Sequence, residues 1–316
     1  MLGLGRATIQ PIGRVLRCLV APLVLLAPFG ATAVAQESWI TQPVDGSAFP
    51  SEIVAEDRQP AIDGLPDGLV ATHDGEITSA WYAVPTTRYG HGILGDAVEA
   101  ATLMVRTRDG ETLSLSLPQT EVFEDRAPRL ADLDGDGLTE VITIRASVTE
   151  GAAVTIYGLS DGTLVRRAST DFIGRANRWL NIAGIADFRG TGKQDIAFVR
   201  TPHIGGTLFV YAFENGDLVR KAAMDGFSNH LIGATEMRLS AIADVDGDGR
   251  QDLAVPSNSR RTLRIVGFDA AGSLVEPGTA ELPAPIDKAI AVQGSGPDLR
   301  FVVGLADGSV HEVRRR

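Results

Sequence analysis

The segment Leu130-Ala-Asp132-Leu-Asp134-Gly135-Asp136-Gly137-Leu138-Thr-Glu140-Val-Ile142 decides how this chain is read. It sets four carboxylates and two glycines between two apolar stretches. Glycine lets the backbone curl tightly between the acids. The alternating apolar residues that follow have the period of a strand and not of a helix. The same pattern returns as Ile185-Ala-Asp187-Phe-Arg189-Gly-Thr191-Gly-Lys193-Gln-Asp195-Ile-Ala197 and as Ile242-Ala-Asp244-Val-Asp246-Gly-Asp248-Gly-Arg250-Gln-Asp252-Leu-Ala254, with starts 55 and 57 residues apart.

Moving outward, six tight turns sit between apolar alternations: Asp74-Gly75, Asp109-Gly110, Asp161-Gly162, Asn215-Gly216, Ala271-Gly272 and Asp307-Gly308. Asn-Gly and Asp-Gly suit the positive φ angles of two-residue antiparallel hairpins. No helical period runs through residues 60–316. A repeat therefore reads strand, acidic loop, strand, longer loop, strand, tight turn, strand. Four short antiparallel strands in about 50 residues is the pattern of a propeller blade. The expected fold is all-β, a β-propeller of four-stranded antiparallel blades over residues 60–316. Six hairpins imply six blades; seven is the alternative, because the turns are spaced unevenly, by 35 to 56 residues. One blade is expected to combine N- and C-terminal strands.

The acidic segments, each after a short strand ending in Ala-Asp and before an apolar strand, resemble FG-GAP or VCBS repeats. Those occur in the integrin α-subunit type of β-propeller and in many exported bacterial proteins. The acidic motif covers three repeats, and the hairpin pattern extends the resemblance across residues 60–315. What it implies is a fold and a calcium loop, with no reaction attached.

Calcium takes six to eight hard oxygens. In the first segment Asp132, Asp134, Asp136 and Glu140 offer carboxylates and Leu138 a backbone carbonyl; in the third, Asp244, Asp246, Asp248 and Asp252 do so with the carbonyl of Arg250. So many acids within nine residues repel one another unless a cation lies among them. An EF-hand also begins this way but needs a bidentate Glu at its twelfth position, where Thr143 and Val255 stand here. A metal-free Asp-Gly turn is the plainer alternative. The middle segment keeps Asp187 and Asp195 but has Arg189 and Thr191 between them, so it is expected to hold no calcium, its guanidinium neutralising the acids. Gly95-Asp96 and Gly294-Ser-Gly-Pro-Asp298 read as metal-free relics of the same loop.

Residues 1–35 carry Arg6, Arg14 and Arg17, no acid, and a short apolar run broken by Pro22 and Pro28, ending in Ala33-Val-Ala35. That is the pattern of a signal peptide cleaved after Ala35, with an apolar run too short to span a bilayer. Cleavage would remove Cys18, the one cysteine, and three positive charges from a net charge of −11. The expectation is a monomer of the periplasm or the cell exterior, without disulfides and without a transmembrane segment in the mature chain. Its acidity argues against a nucleic-acid partner. Residues 36–59 read as a polar arm.

One further element precedes the first strand of several repeats. It places Arg88, His91, Arg126, Asn177, Arg178, Trp179, Asn229 and His230 in loops expected to meet at one propeller mouth. Such a group suits an anionic or sugar-like ligand, glycan or protein; the plainer reading is that these side chains bond loop backbones. Neither H-E-x-x-H nor G-x-x-x-x-G-K-[ST] occurs, and His73, His91, His203, His230 and His311 share no metal-ligand spacing. No catalytic residue is identified. The first expectation is a non-enzymatic, calcium-stabilised binding or scaffold protein of the cell envelope. The alternative is a hydrolase or lyase acting on a polysaccharide or phosphoester at the axial mouth.

Overall fold

The computed structural model describes residues 1–3, 37–49 and 59–316. The segment read as a signal peptide, with its cleavage position, and residues 50–58 of the arm lie outside the described residues. Within the compact body Ala35–Arg316 the fold is all-β, and among the described residues no helix is long and apolar enough to cross a membrane.

The strands form antiparallel sets of four. The first set is β2 (Ala71–Thr72), β3 (Ile77–Thr86), β4 (Glu99–Thr107) and β5 (Thr112–Ser116). A short β6 (Glu121–Phe123) links β4 to the second set: β7 (Arg129–Ala131), β8 (Glu140–Ser147), β9 (Gly151–Ser160) and β10 (Thr163–Ser169). The third is β11 (Leu180–Ala186), β12 (Asp195–Arg200), β13 (Gly206–Glu214) and β14 (Asp217–Phe227). The fourth is β15 (Ala241–Ala243), β16 (Asp252–Pro256), β17 (Thr262–Phe268) and β18 (Leu274–Glu281). The fifth joins β19 (Ile286–Gln293), β20 (Arg300–Leu305) and β21 (Val310–Arg315) to β1 (Glu37–Val44). Residues 37–44 of the segment read as a polar arm are therefore a full strand, registered against β21 from Trp39↔Arg315 to Val44↔Val310.

Six turns do not make six sets. Asp74-Gly75 and Asp109-Gly110 belong to one set, joining β2 to β3 and β4 to β5. The last turn, Asp307-Gly308, joins the second and third strands of its set, because β1 supplies the fourth. Both short intervals in the turn spacing follow from this, and the described strands give five sets.

The central strands β8, β12 and β16 are buried along nearly their whole length because each supplies two cores. Successive side chains of a strand point to opposite faces. On β8, Val141 packs with the first set, around Leu103 and Tyr82, while Ile142 and Ile144 pack with the third, around Phe198 and Trp179. On β12, Ile196 and Phe198 face the second set; Ala197 and Val199 face the fourth. On β16, Leu253 and Val255 face the third set and Ala254 the fifth. Each fully buried aliphatic side chain contributes roughly 1.5–3 kcal/mol, so the contacts between consecutive sets carry the fold.

The acidic segments join the first and second strands of the second, third and fourth sets, and they stack on one another. Thr139 N–H donates to Glu76 of the first set, Gln194 N–H to Leu133 O, and Gln251 N–H to Asp187 O. In the first set the equivalent connection is the Asp74-Gly75 turn; Gly95-Asp96 lies instead between β3 and β4.

Candidate functional site

Two of the acidic loops converge their carboxylates. One oxygen each from Asp132, Asp134 and Asp136 lies within 4.8 Å of the others, and likewise for Asp244, Asp246 and Asp248. Asp132 shapes its loop by accepting from Gly135 N–H at 2.7 Å and Gly137 N–H at 2.9 Å; Asp244 does the same for Gly247 and Gly249 at 2.7 and 3.0 Å. The glycines at 135 and 137 have φ of 76° and 84°, a region closed to most side chains. Glu140 and Asp252 are buried and accept from Leu133 and Val245 N–H. Burial first, then the neighbouring aspartates, pushes each up to about 7. Asp134 Oδ1 is buried without a hydrogen-bond partner. A buried acceptor of that kind is costly to leave unmatched, and the donor set fits a hard divalent cation. The loops differ in their detail: the Arg250 guanidinium pairs with Asp248, where the first loop has Leu138, and Asp246 Oδ1 accepts from Asp248 N–H, where Asp134 Oδ1 has no partner.

The middle loop is organised differently. Asp187 still accepts from Thr191 and Gly192 N–H. Arg189 turns its guanidinium onto the fully buried Asp195, at 2.9 Å from Nη2, and reaches Glu214 at 3.5 Å. Asp195 thus has a fixed internal cation, while Asp187 is left to the backbone.

Of the residues expected at one mouth, three hold loops, four line one cavity, and His230 is buried edge-on to Trp179. Arg88 donates from Nε to Glu121 O at 2.8 Å. Arg126 donates from Nη1 to Thr235 O at 2.7 Å and lies 3.3 Å from Asp67. Asn229 is fully buried and exchanges bonds with Asn181, donating to its carbonyl and accepting from its Nδ2. These three hold loops together. His91, Asn177, Arg178 and Trp179 instead line one cavity of about 270 Å³ with Ile93, Thr201, His203, Ile204 and Ile232. The cavity is at the start of β11, whereas the acidic loop follows its end, seven residues and roughly 20 Å along the strand.

Trp179 forms the base, only 2% exposed, donating from Nε1 to Glu124 O at 2.9 Å. Its ring plane is parallel to His203 within 1°, centroids 6.2 Å apart, and edge-on to His230 at 4.7 Å. His230 Nε2 donates to Ala234 O at 2.9 Å, so its Nδ1 accepts from His203 Nε2 at 3.1 Å. Burial is the main reason that the folded chain holds His203 down to about 3 and His230 to about 4, so both are neutral at pH 7. His91 Nδ1 meets Glu124 Oε1 at 2.5 Å. Burial lowers His91 and raises Glu124, which favours a neutral hydrogen bond over an ion pair. Asn177 and Thr201 adopt φ of 55° and 51°. For a β-branched residue such as Thr201 that conformation is strained, and strain of this kind gathers at functional sites. Ile204 and Ile232, 61% and 64% exposed, stand at the rim.

His203, Thr201, Ile204 and Ile232 carry no spacing that marks them in sequence. The one available signal was apolar isoleucine inside Gly- and Pro-rich loops. Conversely, Gly158-Leu-Ser160-Asp-Gly162 has the G-x-S-x-G spacing, but Ser160 ends β9 at a hairpin and not at the strand-to-helix elbow that such a nucleophile needs.

Behind the cavity lie further buried acids. Glu99 is 2% exposed, and burial is the main reason it is raised to about 9. Asp125 accepts from Tyr82 OH at 3.2 Å and pairs with Arg129. Unfolded, Glu99 ionises near its ordinary 4.5; folded, near 9. Between those values the unfolded chain has released a proton that the folded chain retains, so stability falls as pH rises. Glu99→Gln is expected to flatten that decline and raise the unfolding midpoint at pH 8 by about 5 °C, with little effect at pH 5. Thermal melts at both pH values check it; equal shifts at the two would show that Glu99 is already ionised in the fold.

No family model matches the chain, and no curated protein matches it. Among solved structures it is similar to the exotype rhamnogalacturonan lyase YesX, with a TM-score of 0.43 and 14% identity over 84% of this chain and 57% of that one. The chain thus spans little more than half the length of that structure.

Proposed function

We propose that this protein is an exported, calcium-stabilised β-propeller that works by binding a ligand. Its blades are the four-stranded sets, five where the turn count gave six, with β1 completing the last. Meandering four-stranded antiparallel sheets packed face to face are what such an array requires. Export rests on the basic and apolar composition of residues 1–35 and on the single cysteine lying within them. Calcium sits in the loops of Asp132–Glu140 and Asp244–Asp252 and not at Asp187–Asp195, where Arg189 takes its place. The ion is structural: it draws together carboxylates that would otherwise repel, at the end of the strands away from the cavity.

One observation carries the binding reading. The cavity on Trp179 is flanked by two isoleucines more than half exposed. Apolar side chains around a concave site are the mark of an interaction surface. A larger hollow of about 370 Å³ runs beside β7 and β11, but its arginines are already matched, Arg129 by Asp125 and Arg238 by Glu236. The alternative of a hydrolase or lyase gains no carboxylate pair in the cavity, whose walls hold none.

The test is a screen of small molecules and oligosaccharides by ligand-observed NMR on the calcium-loaded protein. Hits are expected whose signals are lost with Ile204→Asp and Ile232→Asp combined, while the melting curve stays within about 2 °C, since both side chains are already in solvent. A screen without such hits, or hits indifferent to the pair, would sink the reading.

A further inference from the structure

The cavity also has a chemistry that narrows its ligand. Most of its walls are hydrocarbon and ring, from Trp179, Ile93, Ile204, Ile232 and the imidazoles of His91 and His203; Asn177, Arg178 and Thr201 are the other members. Few hydrogen-bonding groups face a sugar, which would need its hydroxyls matched on every side. The volume of about 270 Å³ falls just below the usual range for drug-sized pockets, room for roughly a dozen non-hydrogen atoms.

One full charge lines the space. Arg178 donates from Nη1 to Asn177 O at 2.9 Å, and no carboxylate lines the cavity beside it. A second guanidinium stands behind: Arg260, whose Nε donates to Ile286 O at 3.2 Å, bears on both His203 and His230. The acids nearby face other groups: Glu124 is turned onto His91, and burial raises its pKa; Glu236 is engaged with Arg238 at 2.7 Å; Asp287 bears on Arg260. Arg178 is left as the charge that faces the cavity. A chain with net charge −11 therefore presents a locally cationic cavity with apolar walls. Guanidinium recognises carboxylate by two parallel hydrogen bonds, more strongly where water is excluded.

Resting on the binding reading above, we propose that the cavity takes a small aromatic monocarboxylate, its ring against Trp179 and between the isoleucines, its carboxylate on Arg178. The aromatic edge also suits the T-shaped contacts already made there.

Phenylacetate and its neutral isostere phenylacetamide separate charge from shape. Calorimetric titration of the full calcium-loaded chain is expected to show phenylacetate binding at least about tenfold more tightly than phenylacetamide. Arg178→Gln should erase that preference while leaving the amide's affinity within about twofold. Arg178→Lys, which keeps the charge but loses the fork, should retain part of it. Melting curves of both variants confirm that they fold. Equal affinity for acid and amide in the wild type, or a preference that survives Arg178→Gln, overturns the proposal. If neither compound binds while the screen yields other ligands lost with Ile204→Asp and Ile232→Asp, the ligand class is wrong and the binding site stands. If nothing binds in either experiment, both fall.

Discussion

Trp39→Ala is expected to lower the unfolding midpoint by roughly 10 °C, about 4 kcal/mol for the loss of a buried tryptophan. Trp39 is 9% exposed and packs with Phe301, ring centroids 6.0 Å apart, in the core shared by the fourth and fifth sets. It belongs to β1, the strand farthest in sequence from its partners. β1 pairs antiparallel with β21 and, over Glu37↔Gly278 and Ser38↔Thr279, parallel with β18. One side chain thus bridges two sheets. Gly278 shows how closely: a Cβ there would meet the Trp39 indole nitrogen at 2.0 Å. Gly278→Ala should therefore displace the ring and reproduce part of the loss. Trp39→Phe is the contrasting case. The indole N–H is buried without a partner, so a phenyl ring keeps most of the burial and removes an unmatched donor; its cost is expected to stay below about 1.5 kcal/mol. Deleting residues 1–44 goes further, exposing β21 as an unpaired edge open to association. A midpoint for Trp39→Ala within 2 °C of wild type would show that β1 is not needed to complete the fifth set.

The strand seen at 37–44 marks the limit of what the sequence could say. Its order comes from β18 and β21, more than 200 residues away, so local composition showed only a polar arm. Local features fared better. Each acidic loop is shaped by bonds within six residues, as from Asp132 to Gly135 and Gly137, and was readable for that reason. The turns were legible as turns but not as a count, because Asp-Gly marks a hairpin without saying which pair of strands it joins. The cavity was half legible. His91, Asn177, Arg178 and Trp179 were singled out in sequence and line it; His203 and Ile204 reach it because β11 pairs with β12 and Thr201 N–H bonds Trp179 O, and Ile232 comes from the connection between the third and fourth sets. Arg88, Arg126 and Asn229 look identical to ligand groups in sequence; they satisfy carbonyls instead, a choice settled by neighbours that the chain reaches only when folded.

Removing calcium is the second change expected to have a large effect, a fall in midpoint of about 10 °C or more. An ion that binds the folded state alone stabilises by about 2.7 kcal/mol at one hundred times its dissociation constant. Two such sites add to roughly 5 kcal/mol, against the 2–4 °C per kcal/mol usual for chains of 150–250 residues. Substitutions must separate the ion from the turn. Asp132→Ala would not, since Asp132 also holds the N–H groups of Gly135 and Gly137. Asp134→Asn does, because Asp134 Oδ1 has no partner in the loop: the metal-free variant should melt with the metal-free wild type, while its response to calcium falls by about half. The two loops should also differ in affinity. Binding at the second requires Asp248 to leave Arg250, so Arg250→Leu, which copies Leu138 of the first loop, is expected to tighten that site several-fold by calorimetry. A chelator titration that leaves the melting curve where it was, with no heat on adding calcium, would reduce both loops to metal-free turns. The stacking of consecutive loops through Gln194 and Gln251 would then hold that end of the sheets by itself.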